Sequence, residues 1–453
     1  MGYVFYDTET SGLNKHHDEI LQFAAIVTDE HFVEVKRFEV KLRLSPLTVP
    51  SPRALYVNGT PVSECFSPQR LSQFDGMKQI HDFITQNTPA TFAGWNTVGF
   101  DEECLRHGFY RQLLGAYPTS MGGNARMDIL GIARATDALR PNSIVIPIGP
   151  DGKKSFKLQD VCVANGHKPR AAHEAMSDVE ACLSVAALLK QRQPEIWSAF
   201  VQTSRKPSAL EVVQSKTPFI VIDGWKDDTR SFVGIEIGRD PKLPFYSYVL
   251  DLDAVLSGFD ETDPTISATW FDGHPAPVVK VRCNASPLIV SIDDLEEYDD
   301  IADDLTTKAH EILKDSVTIE SIAEAFHVHI QYDYPNNYVE DKLYSGFPDP
   351  DTEQKIQQFR NGNWVDRARI ARSIRDARYL KLAMRLVAEH APDELSIKER
   401  ENYETFVLRR HNTSIDDDCP WMSLERAQHE ISILPEPDGT RLKSQFENYY
   451  GCF

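Results

Sequence analysis

Four consecutive apolar or aromatic side chains, Tyr3-Val4-Phe5-Tyr6, run straight into Asp7-Thr8-Glu9. A run this short and this apolar reads as a buried strand. Residues i and i+2 of a strand share a face, so Asp7 and Glu9 project together from its end. Two carboxylates that close repel, and one holds a proton unless a divalent cation sits between them. Hard oxygen ligands of this kind suit Mg2+ or Mn2+. The alternative for the triplet alone is a strand end with two solvated acids, since short motifs often match by chance.

The pattern around that strand predicts a layered α/β or α+β domain ending near residue 200. β-rich runs cover 20–28 and 32–44, and a second buried strand covers 90–95 (A-T-F-A-G-W). Helical periodicity marks 75–86, 101–115, 127–138, 157–165 and 174–191. Residues 203–217 are polar, carry a proline and read as a boundary. Beyond it, short β-branched and aromatic runs at 219–222, 232–237, 245–252, 278–282 and 288–292 alternate with Gly, Pro and Asp turns. That texture predicts a small β barrel or sandwich over 201–292, a unit that could extend to about 340. From 293 to 453 the chain reads as helical. Three domains fit the 453 residues, at roughly 100–200 residues per domain.

A formal charge of −20 argues at first sight against a polyanionic partner. The charge is unevenly spread, however. Residues 1–200 hold 20 Lys/Arg against 22 Asp/Glu, whereas residues 201–453 hold 28 against 46. The first part is near neutral, so a nucleic-acid partner stays open there. Seven dispersed cysteines without a C-x-x-C pair fit a reducing cytoplasm rather than a disulfide framework or a zinc site. No apolar run approaches the ~18–20 residues of a membrane span, and the first residues lack the basic start of a signal peptide. A soluble cytoplasmic protein is expected.

Two further acidic segments matter. In Gly94-Trp95-Asn96-Thr97-Val98-Gly99-Phe100-Asp101, a buried strand stops at a turn and an acid opens a helix, where the helix dipole tolerates it. In His173-Glu174-Ala175-Met176-Ser177-Asp178, a loop histidine precedes an aspartate that starts an amphipathic helix. Taken singly, Asp101 reads as a helix-start acid and His173 as a structural histidine. In order, D-T-E-T-S-G-L, N-T-V-G-F-D and H-E-A-M-S-D resemble the three motifs of the DEDDh 3′→5′ exonucleases, with separations of about 92 and 77 residues. Ala138-Leu139-Arg140-Pro141, S-F-K-L-Q-D at 155–160, A-N-G at 164–166, K-Q-R-Q-P at 190–194, V-K-V at 279–281 and L-Y-S-G-F at 343–347 look like the bacterial exodeoxyribonuclease I family within that group. The likeness is strong to residue 200 and weaker after it.

That resemblance implies an RNase H-like exonuclease domain over 1–200, an SH3-like β-barrel and an α-helical C-terminal domain. Together they would close a groove around single-stranded DNA. It implies processive release of 5′-mononucleotides from a 3′ end, in DNA repair or recombination. Asp7, Glu9, Asp178 and Asp101 would hold two Mg2+ ions, with Mn2+ as a substitute, and His173 would act as general base toward the attacking water. Single-strand binding needs cations for phosphates and aromatics for stacking. Lys157, Phe156, Arg106, Arg134 and Tyr117, with Glu9, are the candidates, and each is as readily a solvated or core residue.

Relatives of this kind bind the acidic C-terminal tail of single-stranded DNA-binding protein. Arg140 is a candidate for that contact or for DNA, as are the basic residues of one helix expected over 366–385. In Asp293–Asp304 eight of twelve residues are acidic, which reads as a solvated linker or helix face. A monomer is expected. The alternatives are an RNA-directed or proofreading DEDDh enzyme, which would leave 201–453 unexplained, and a catalytically silent binding scaffold.

Overall fold

The computed structural model describes residues 2–167, 174–224, 229–254, 256, 259, 262–330 and 337–451. Its first unit is built on a mixed sheet of β1 (Tyr3–Thr10), β2 (Ile20–Thr28), β3 (Glu34–Lys41), β4 (Thr91–Gly94) and β5 (Ala125–Asp128). The spatial order is β3-β2-β1-β4-β5. β2 pairs antiparallel with β1 and β3, while β4 runs parallel to β1 and β5.

Central β1 spends its two faces on different cores, as the alternation of a strand requires. Tyr3 and Phe5 pack with Ala24, Ile26 and Met127 under helices Ile129–Leu139 and Ala175–Arg192. Val4 and Tyr6 pack with Phe23, Ala25 and Phe92 under helices Gln73–Gln86 and Asp101–Arg111. This is the layered α/β domain that the sequence pattern predicts, in the RNase H-like form that the resemblance implies. By the same parity Asp7 and Glu9 lie on the face of helix Ala175–Arg192, and Thr8 on the face of helix Asp101–Arg111.

A second sheet of β6 (Phe219–Asp223), β7 (Arg230–Arg239), β8 (Tyr246–Asp251), β9 (Val278–Arg282) and β10 (Ile289–Ser291) is antiparallel throughout, in the order β10-β6-β7-β8-β9. Its five strands are consistent with the expected SH3-like unit. The polar stretch read as a boundary at 203–217 is largely helical, Lys206–Gln214. Ala209 and Val213 bury against Phe219 and Val249 of the sheet, so two apolar residues four apart outweigh the polar composition around them. On the other face, Ile319, Ile322 and Phe326 of helix Ser316–His329 share a core with Ile235, Tyr248 and Leu250.

The acidic run is folded as well. Leu295 is fully buried in the first unit's core, and Glu297 pairs with Arg140. The single basic helix expected over 366–385 is two helices, Trp364–Ser373 and Ala377–His390. The break falls where Ile374 turns extended and the Asp376 carboxylate caps the second helix through the Arg378 N–H. Most of its cations are paired within the chain, including Arg372 with Glu399 and Arg385 with Glu340. Helices Leu424–Ser432 and Asp438–Tyr450 return to the first unit, where Leu442 and Phe446 cover Leu21, Leu44 and Leu55. Among the described residues no helix is long and apolar enough to cross a membrane.

Candidate active site

β1 delivers two carboxylates and helix Ala175–Arg192 a third. Oxygens of Asp7, Glu9 and Asp178 all lie within 4.8 Å of one another. Asp178 sits in the first turn of its helix, whose buried stripe through Val179, Cys182 and Val185 holds it against β1. At Glu9 the β1–β2 register slips, Glu9 facing Gln22 and Thr10 facing Ile20. The bulge bends the strand where the acids project, a placement common beside active sites.

Asp101 arrives from the opposite layer. The Thr8 backbone N–H and hydroxyl donate to its Oδ1 at 3.0 and 2.5 Å. These bonds engage one oxygen and leave Oδ2 for another partner. Gly94 permits the approach. A Cβ there would lie 2.6 Å from the Tyr6 carbonyl oxygen and 2.1 Å from Thr97 Cγ2. The Asp128 carboxylate accepts from the N–H groups of Asn96 (3.0 Å) and Val98 (3.2 Å) in the turn before Asp101.

The electrostatics are those of a cation site. Burial, with Asp101, Glu9 and Asp178 alongside, raises Asp7 well above the carboxylate range. Burial and then Asp178 push Glu9 up to about 8. Burial lifts Asp101 to about 7 against the pull of its Thr8 hydrogen bonds. Acids so crowded hold protons at neutral pH unless positive charge replaces them. A divalent cation therefore competes with protons for these oxygens, and its affinity rises as pH rises through 7 to 8. Mg2+ binding at pH 7 is accordingly expected to release protons. Calorimetric titration in two buffers of different ionisation enthalpy measures this, and a buffer-independent heat contradicts it.

The other candidates divide. Lys157 is exposed immediately before helix Leu158–Ala164, and two residues on Gln159 donates from Nε2 to Asp178 Oδ1 at 3.0 Å. The Phe156 carbonyl accepts from Trp95 Nε1 at 3.1 Å, and the Arg134 guanidinium lies 5.2 Å from the Phe156 ring centre. This group borders the acidic cluster. Arg106 is committed to Glu102 (2.9 Å) and Glu103 (2.8 Å), and its guanidinium lies 5.4 Å from the Tyr117 ring centre. Tyr117 in turn meets Phe347, which is 82% exposed. Arg140 is held by Glu297. His173 lies outside the described residues. Sequence reasoning passed over Thr8, Gln159 and Asp128. The first two stand inside motifs already quoted, so their position was legible though their bonds were not.

Residues 4–186 match a family model described as Exonuclease, and residues 337–437 match the Exonuclease I C-terminal domain. Exodeoxyribonuclease I of Escherichia coli (strain K12) is 30% identical over 369 residues, spanning 76% of this chain and 76% of that protein. The chain belongs to the exodeoxyribonuclease I family. As a member of that family it is a hydrolytic nuclease. The fold agrees over nearly the whole length. E. coli Exonuclease I in complex with a dA16 oligonucleotide superposes with a TM-score of 0.86 at 23% identity, covering 99% of each chain. A structure of SSB/Exonuclease I with an inhibitor gives 0.83 at 22% identity, again over 99% of each.

Proposed function

We propose that this exodeoxyribonuclease I family member degrades single-stranded DNA from its 3′ end to 5′-mononucleotides, with Asp7, Glu9, Asp178 and Asp101 holding two Mg2+ ions. The observation that carries the site is the convergence of three carboxylates within 4.8 Å. When bound, the cations supply charge stabilisation for the attacking and leaving oxygens of an in-line displacement. The chain's own contribution is positional. Thr8 fixes one oxygen of Asp101, and Gln159 steadies Asp178 by donating to Oδ1. His173 takes the proton of the attacking water, a role suited to an imidazole of ordinary pKa near 6.5. Lys157 meets a phosphate near the scissile bond, and Phe156, backed by Arg134, offers a stacking face.

The packing of helix Ser316–His329 on β7 and β8 supports a middle unit running to about residue 330, before the C-terminal helices. The solved SSB/Exonuclease I structure supports single-stranded DNA-binding protein as a partner, and the proposed setting is DNA repair or recombination in the cytoplasm. For that partner's acidic tail, Arg140 is available only if Glu297 releases it.

A 3′-labelled single strand tests this reading, with an RNA strand of the same sequence in parallel. The expected result is Mg2+-dependent release of labelled mononucleotide from DNA, abolished by chelator and much slower from RNA. Faster release from RNA would favour the RNA-directed alternative, and no release from either strand would overturn the reading.

A further inference from the structure

The turn between β4 and helix Asp101–Arg111 decides where Asp101 points, and one carboxylate outside the acidic cluster holds that turn. Asn96 adopts a left-handed backbone with φ 63°, a conformation that a side chain tolerates only with support. Its carbonyl accepts from the Gly99 and Phe100 N–H groups, both at 3.2 Å, and the Thr97 carbonyl accepts from the Glu102 N–H at 2.9 Å. Two further amides of the turn face β5. There Asp128 Oδ1 takes the Asn96 N–H at 3.0 Å and Oδ2 takes the Val98 N–H at 3.2 Å. The helix start before Asp101 has no side chain of its own to fix it, because Phe100 precedes the helix and makes no capping bond.

We infer that Asp128 is a positioning residue for the nuclease reaction, clamping the 96–98 turn so that Asp101 reaches Thr8 and the acids of β1. The inference rests on Asp101 being a metal ligand. Asp128 also accepts from the Gly131 N–H at 3.4 Å and so begins helix Ile129–Leu139. A purely structural role in that helix is the competing account, and the two differ in what happens once Asp101 is gone.

The test compares Asp128→Ala, Asp128→Asn, Asp101→Asn and the double variant Asp101→Asn/Asp128→Ala in single-turnover reactions on 3′-labelled single-stranded DNA, with circular dichroism confirming folding. Misplacement of a reacting group by about 1 Å costs on the order of 10²-fold. Asp128→Ala is therefore expected to slow turnover roughly 10- to 100-fold. KM for DNA should change little, and the Mg2+ concentration for half-maximal rate should rise. Asp128→Asn keeps one acceptor oxygen and is expected to restore part of the rate. In the Asp101→Asn background, Asp128→Ala is expected to add almost nothing. If the two losses multiply instead, the clamp is overturned while the active-site reading survives. Near-normal turnover by Asp101→Asn alone overturns the ligand assignment and the inference with it. A calorimetric Mg2+ titration that shows unchanged binding in Asp128→Ala also overturns it.

Discussion

Asp178→Asn is expected to lower turnover on single-stranded DNA by on the order of 10³-fold, the scale lost when one preorganised electrostatic group is removed from a reacting centre. The substitution is nearly isosteric, and an asparagine oxygen still accepts from Gln159 Nε2, so the helix and its bond are retained. Asp178 is one of the three acids whose oxygens converge, and removing its charge relieves repulsion on Glu9, which that charge raises. The variant is therefore expected to melt no lower than wild type in chelator, while binding Mg2+ more weakly. Calorimetry and a rate measurement on one preparation check both. Activity lost with stability unharmed is the signature of a site built against stability. His173→Ala is expected to lose turnover on a similar scale yet bind Mg2+ normally, because its role is toward the water. Near-normal hydrolysis by either variant would overturn the assignment.

Glu340→Ala is expected to destabilise the protein by about 3–5 kcal/mol, the usual cost of stripping the partner from a buried ion pair. Glu340 is 2% exposed and accepts from Arg385 at 2.8 Å and Arg410 at 2.7 Å. Neighbouring Asp341 accepts from His16 Nδ1 (3.1 Å) and His17 Nε2 (3.0 Å), in the loop that follows Glu9. Arg111 donates to the carbonyls of His16 and Asp18 in the same loop. The segment from Tyr338 to Tyr344 thus ties the C-terminal helices to the active-site loop. Urea unfolding monitored at Trp421, whose ring centre lies 4.6 Å from the Arg410 guanidinium, measures the loss. A change below about 1 kcal/mol would show that the cluster behaves like a solvated surface pair.

Acid is expected to act in the same direction. Burial pushes His17 down to about 4, so between pH 6.5 and 4 the unfolded chain takes up the proton that the folded chain refuses. Its contribution is complete above 6.5 and lost as pH falls toward 4. Burial opposes ionisation of Glu340, but the charges of Arg385 and Arg410 outweigh it and hold this carboxyl well below the ordinary range. Its stabilisation is therefore lost further down, as pH falls below the unfolded carboxylate value of about 4.3.

The acids were legible because each motif is local. A strand alternates, so Y-V-F-Y-D-T-E places Asp7 and Glu9 on one face before any partner is known. The second and third motifs announce their helices in the same way. What the sequence hid depends on partners far along the chain. Thr8 holds Asp101 across 93 positions, and Glu297 takes Arg140 across 157. Helix spacing marks Arg106 as a phosphate candidate but does not reveal its pairing with Glu102 and Glu103. The break at Ile374 escaped notice because Asp376 reads equally well as a surface acid and as a helix cap. Lys206–Gln214 is hard to read from sequence because its buried pair, Ala209 and Val213, stands among Lys, Pro, Ser and Gln.

The division of β1 between two cores makes hydrolysis a logical conjunction. Asp7 and Glu9 await a carboxylate delivered through one layer, while Thr8 awaits one delivered through the other. The site proposed above therefore draws on both layers at once, and docking only one of them would bring together only part of its acids.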